Sequence, residues 1–372
     1  SGLNAQAPAR GVNSFTDFFG ELGIPLVSGA SWAQSLELNL GARYSTSKAR
    51  DILDNVSSDS RGDWAYKAEL SWQPLDFLRL RGAYQRSVRA PNFAELFDAS
   101  GDNPQYFDPC SITSIARTSR SDAAAVSSLC LTGNGSTSPG DITVAPGYVQ
   151  TPGTQISLQV DGNPNLKPES ADTFTVGAVF SGFDGALRRL RLSIDYYNIN
   201  VKDVILQPDP NRIVANCYNY YGNNPTLNGN NPNCDFIGRA GGDILGFGPG
   251  FGAGTYLGVN AGYIKTSGID VQLDYGMDLG FLGEGAGLDF NLLVNYVFDY
   301  KTKELADQPV IDLVDTVSVF GAPLGGSQPR LKGVLNTTLR FNENLALTSR
   351  IRYIDGMQNR YNKIYPGETE FE

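Results

Sequence analysis

The sequence predicts an all-β protein, an antiparallel barrel whose strands cross a membrane. Three observations carry that expectation. Apolar and polar residues alternate with period two through nine segments. Aromatic residues gather at the two ends of those segments. The connections between them alternate short and long. Period-two alternation puts one residue set on each face of a strand.

The segments run in order. Leu36, Leu38, Leu40, Ala42 and Tyr44 alternate with Glu37, Asn39, Gly41 and Arg43. Trp64–Trp72 and Leu78–Tyr84 follow, then Phe174–Phe180 and Leu190–Tyr196. Ile269–Tyr275, Leu288–Phe298, Leu331–Phe341 and Leu345–Tyr353 complete the nine, and a weaker segment covers Phe15–Val27. One face of the nine carries no charge. The other carries Arg43, Lys67, Glu69, Arg79, Arg81, Asp195, Asp270, Asp274, Arg350 and Arg352 among others. A lipid-facing exterior and a hydrated lumen require that division.

Trp72, Phe180 and Phe341 end strands just before short turns, and Phe77 opens one just after. Tyr44, Trp64, Tyr84, Tyr196, Tyr296, Phe298 and Tyr353 lie toward the opposite ends. Two such bands suit the two interfaces of a bilayer.

The short connections are Ser28–Ala33, Pro74–Leu75, Ser181–Ala186, Gly280–Ala286 and Asn342–Asn344. The long ones are Ser45–Asp63, Ala90–Ala171, Val204–Lys265 and Tyr300–Gln328. Short periplasmic turns and long extracellular loops are the outer-membrane pattern. With that phase both ends of the ten-strand run fall on the long-loop side. A ten-stranded open sheet would leave two bare edges in lipid, which is not tolerated. The chain is therefore expected to be an interior run of a larger barrel.

Bulk composition narrows the functional classes. A net charge of −10 opposes a nucleic-acid partner, since phosphate binding needs a basic patch. No apolar run is long enough for a transmembrane helix, which leaves strands as the membrane-crossing element. The sequence has four Cys and no His. Cys110/Cys130 and Cys217/Cys234 form two local pairs in loop-like sequence, which points to two disulfides in an oxidising compartment. Zinc fits poorly, because the ligand spacing is wide and His is missing. Without His, a nucleophile elbow or a Cys–His pair, no catalytic role and no cofactor are expected.

Specific words then appear. Ser87-Val88-Arg89-Ala90-Pro91-Asn92-Phe93-Ala94-Glu95-Leu96-Phe97 follows a strand. Asn163-Pro164-Asn165-Leu166-Lys167-Pro168-Glu169 precedes one, and Leu192–Ile199 through Ile205 follows that; Glu21–Leu26 is a weaker match. In order and spacing these resemble the barrel domain of TonB-dependent receptors over nearly the whole chain. The resemblance implies part of a barrel of roughly 22 strands, with the N-terminal plug and the last strands outside this sequence. It also implies an outer-membrane importer of a scarce nutrient such as a ferric siderophore, cobalamin or a carbohydrate. Its partners would be outer-membrane lipid, that ligand, and the TonB complex acting through the plug. A passive porin shares the lipid face, and a secreted β-rich binding protein or adhesin is the alternative from another class.

Each motif also has a structural reading. Pro91 ends a strand and Asn92 favours a turn; the two prolines of the second motif hold an extended approach to the next strand. Gly246–Gly254 lacks the strand-before, helix-after context of a nucleotide loop and reads as an outer loop. Tyr218, Tyr220 and Tyr221, on a disulfide-fixed loop, are candidates to stack on a sugar or aromatic ligand, against simple loop packing. Arg79 and Arg81, with Arg350 and Arg352, are candidates for an anionic path, against contact with the plug or pairing with carboxylates across strands.

Overall fold

The computed structural model describes residues 10–53, 55–97, 99–102, 107–136, 142–151, 158–206, 210–220, 224–240, 243–247, 256–303, 310–317 and 327–359. Its frame is a ten-strand antiparallel meander. The strands are β1 (Gly11–Ala30), β2 (Ala33–Asp51), β3 (Arg61–Leu75), β4 (Leu78–Arg89) and β5 (Glu169–Phe180). They continue with β6 (Arg191–Leu206), β7 (Val259–Asp278), β8 (Gly287–Lys303), β9 (Leu331–Asn342) and β10 (Leu345–Ile354). Each strand pairs with its neighbours in sequence, and Ile311–Asp312 adds a short extra partner to β8.

The register explains the alternation. One row of facing residues crosses the sheet from Val27 through Leu36, Trp72, Leu80, Ala178, Ile194, Val271, Val294 and Gly333 to Tyr353. None of them is charged. The adjacent row runs Glu37, Ser71, Arg81, Gly177, Asp195, Asp270, Asn295 and Lys332. A one-residue slip would exchange the faces, so hydrophobicity sets the register strand by strand. Cross-strand aromatic contacts reinforce it on the uncharged face: Tyr44 with Trp64 at 5.1 Å between ring centroids, and Tyr196 with Phe298 at 6.3 Å.

Strand lengths differ from the sequence expectation. β1 and β7 each have 20 residues and β2 has 19, whereas about 9–11 cross a bilayer. The excess lies on the long-connection side: Ser45–Asp51 continues β2, and 259–268 precede the alternating part of β7. Alternation is required only against lipid; ladder hydrogen bonds continue above it whatever the side chains. The long connections are shorter than expected for that reason. At the other end, Pro74 and Leu75 belong to β3 and the turn is Asp76–Phe77.

The long connections also contain structure that the alternation does not show. Helices α1 (Phe93–Phe97), α2 (Ile115–Thr118), α3 (Ala123–Thr132) and α4 (Pro210–Cys217) lie there. A strand, Asp243–Phe247, pairs with Ile237–Ala240 and overlaps the Gly-rich segment read as loop; the residues after Phe247 in that segment lie outside the described residues. The main buried cluster sits in these connections, not between sheet layers.

Candidate functional site: the charged face, the rim clamp and the loop cap

On the charged face, arginines meet carboxylates. Arg81 donates from Nε and Nη2 to the two carboxylate oxygens of Asp195, at 2.8 and 2.6 Å. The two residues are two strands apart, and Gly177 lies between them in the row. A Cβ on Gly177 would stand 1.9 Å from Asp195 Oδ1, so the missing side chain opens the path for the pair. Arg43 pairs with Asp17 at 2.7 Å, Lys67 with Glu21 at 3.5 Å, and Arg340 with Asp289. Arg79 instead donates to Gln73 Oε1 at 3.1 Å. Arg81 and Asp195 line a depression on this face with Asp270, Asn295, Lys332 and Arg352.

At the rim, the two sequence motifs are bolted together. Asn92 caps α1: its Oδ1 accepts from Glu95 N at 2.8 Å, and Glu95 Oε2 accepts from Asn92 N at 2.7 Å. This is a reciprocal capping box with Asn in the first position, so Asn92 starts a helix where a turn was expected. Arg89 grips Glu95 with Nη1 and Nη2 (3.1 and 3.0 Å) and Glu169 with Nε (2.7 Å). Glu169 Oε1 then accepts from Ile205 N at 2.6 Å. Asn163 N donates to Glu95 O at 2.9 Å, joining the second motif to the first. Gly162 lets the chain pass α1, since a Cβ there would be 2.1 Å from Phe97 N. Asn260 completes the clamp: its side chain accepts from Lys167 N and donates to Lys167 O, both at 2.7 Å.

Beyond the rim, the connection after β4 and the connection after β6 fold together into one cap. The disulfides are Cys110–Cys130 and Cys217–Cys234, the pairs expected from sequence. All four cysteines are buried in a common core with Val126, Leu129, Val214, Tyr218 and Ile237. Asp108 and Arg239 form an ion pair across the two connections, at 2.5 and 2.7 Å, with both side chains almost fully buried. Desolvation pulls the Arg239 pKa down, but the Tyr218 hydroxyl and the Asp108 carboxylate outweigh it, so it stands well above the ordinary guanidinium value. Tyr148 Oη and Cys110 N also donate to Asp108, each at 2.9 Å. Arg120 donates to Tyr218 O and Asn219 O, at 3.1 and 3.0 Å, and lies 4.5 Å from the Tyr220 ring centroid.

The tyrosine candidates are thereby placed. Tyr218 is fully buried and Tyr220 nearly so, both as cap packing; Tyr221 lies outside the described residues. The residues that organise the cap, Asp108, Arg120 and Arg239, carry no sequence signal. They are far apart in the chain and ordinary in type. The capping box at Asn92 and Glu95 is the feature that its three-residue spacing makes findable.

This fold is a section of the wall of an outer-membrane β-barrel. The family profile "TonB dependent receptor-like, beta-barrel" matches residues 2–370, and the chain belongs to that family. Its members reside in the outer membrane and are not enzymes. Comparison with curated proteins gives no match. Among solved structures the chain is similar to the hemophore receptor HasR of Serratia marcescens, with 14% identity over 92% of this chain and 44% of that one, TM-score 0.49. It is also similar to the FrpB iron transporter of Neisseria meningitidis (15%, 92% and 33%, TM-score 0.44). A third is the ferric-catecholate import receptor Fiu of E. coli K12 (11%, 93% and 35%, TM-score 0.45). The chain spans about a third to a half of the length of such proteins.

Proposed function

We propose that this chain forms part of an energy-coupled outer-membrane importer. The nutrient is a scarce solute of the ferric siderophore, cobalamin or carbohydrate classes. The observation that carries the reading is the family match over residues 2–370. The ten-strand sheet supports it, with an uncharged face for lipid and an ion-paired face for a hydrated lumen. Coupling to TonB runs through the plug domain of the full-length receptor. The long connections face the exterior, where an oxidising environment suits the two disulfides. Arg79 and Arg81 are the proposed ligand contacts on the lumen face, together with Tyr221, which follows the cap residue Tyr220 in the chain. Tyr218 and Tyr220 act by holding the cap in shape.

The test is uptake by cells carrying the full-length receptor, using labelled ferric siderophores, cobalamin and oligosaccharides, with and without a protonophore. Saturable uptake abolished by the protonophore supports the importer. Uptake that rises linearly with concentration and ignores the protonophore identifies a passive porin instead.

A further inference from the structure

We infer that the two long connections, although separated in sequence, form one cooperative unit that opens and closes as a single body. The described residues of the unit, within 107–151 and 210–247, number about 30–40 on each side, near the size below which a chain seldom folds without staples or a partner. The buried apolar residues of both parts fall in one cluster. Ala116, Val126 and Leu129 from the first interleave with Val214, Tyr218 and Ile237 from the second. Polar seams run across the same boundary. The Asp108–Arg239 pair is buried there, and Arg120 is bound to the carbonyls of residues 218 and 219. Asn134 donates to Leu227 O. Gly229 sits so close that a Cβ would meet Gly133 O at 1.9 Å. Asp108 and Arg239 are buried against each other at the boundary, so a partial separation that keeps water out leaves each charge unpaired, which favours full opening over partly open states.

The two connections are also joined where they return to the sheet. Asn163 Nδ2 donates to Gly258 O at 2.9 Å, so the end of the first connection is bonded to the end of the second. The strands that emit them, β4 to β7, are consecutive in the sheet. Any solute that must pass the cap therefore displaces both connections together, and a defect placed in one is felt in the other. This coupling does not rest on the importer reading: it would hold equally in a porin.

The experiment is amide hydrogen exchange on the intact receptor in detergent. The variants are Cys217→Ser/Cys234→Ser, which changes residues of the second connection only and leaves the Cys110–Cys130 disulfide in place, and Asp108→Asn, which keeps both disulfides. Heat-modifiable gel migration verifies that the barrel itself is folded. The expected result is that exchange of α3, in the first connection, rises at least tenfold in the cysteine variant alongside that of α4. Unchanged α3 protection with faster α4 exchange would overturn the proposal. Should the cysteine variant fail to assemble, Asp108→Asn decides alone: faster exchange in both α3 and α4 supports one unit, and faster exchange confined to α3 refutes it.

Discussion

Arg81 and Asp195 are joined by two hydrogen bonds across an intervening strand, over the bare backbone of Gly177. Neighbouring strands lie roughly 4.8 Å apart, so the pair spans about twice that distance between backbones and covers β5 where it has no side chain. A glycine that would merely weaken a strand by propensity thus serves a pairing between its two neighbours.

Replacing Gly177 with Ala is expected to break this arrangement. The new Cβ meets both Asp195 Oδ1 and, at 2.9 Å, the backbone oxygen of Ile194, so a strand must shift as well as a side chain. Overpacking of this kind costs about 1–3 kcal/mol. The urea midpoint of the folded receptor measures it, and a midpoint equal to that of the parent would show that the row tolerates a methyl group.

The two faces should respond oppositely to a new charge. Ile194→Arg places a cation on the uncharged row, where the cost is about 2–4 kcal/mol near the bilayer midplane. Ser193→Arg, one residue away on the charged face, should cost less than ~1 kcal/mol, because lumen positions stay hydrated. Folding titrations of both variants into lipid bilayers compare them directly, and equal losses would contradict the assignment of faces.

The helix cap at the rim gives a smaller effect. Asn92→Ala removes the acceptor for Glu95 N and is expected to cost about 1 kcal/mol. Arg89→Ala removes bonds to two carboxylates and should cost more, about 2–3 kcal/mol, despite partial exposure of the arginine. Limited proteolysis near Phe93–Phe97 reads both; the order of cleavage rates should be Arg89→Ala, then Asn92→Ala, then parent.

For the buried pair in the cap, Asp108→Ala leaves Arg239 charged and enclosed, at an expected cost of about 3–5 kcal/mol. The double variant Asp108→Leu/Arg239→Met should recover part of that loss. Recovery stays incomplete because Tyr148 Oη and Cys110 N lose their shared acceptor. Thermal unfolding of the cap, followed by protease susceptibility of α3, distinguishes the two. A double variant no more stable than the single one would mean that the stranded charge of Arg239 is not what weakens the cap.

The barrel strands, their faces and the cysteine partners are all legible in the chain before it folds. Each of these rests on short-range information. Side-chain direction alternates every residue, so Leu36 to Tyr44 declares its faces without reference to any other strand. Cys110 and Cys130 are 20 residues apart, and Cys217 and Cys234 are 17, close enough in the chain to be read as local pairs. The true strand ends were hidden, because above the lipid a ladder such as Ser45–Asp51 with Gly11–Asp17 needs only backbone groups, which every residue but proline supplies. Folding in three dimensions was needed to bring Asp108 to Arg239, 131 positions later, to turn Tyr218 inward, and to give two separate connections one core. Charge and aromaticity are legible at a position, but whether they serve a ligand or a neighbour depends on which distant segment folds against them.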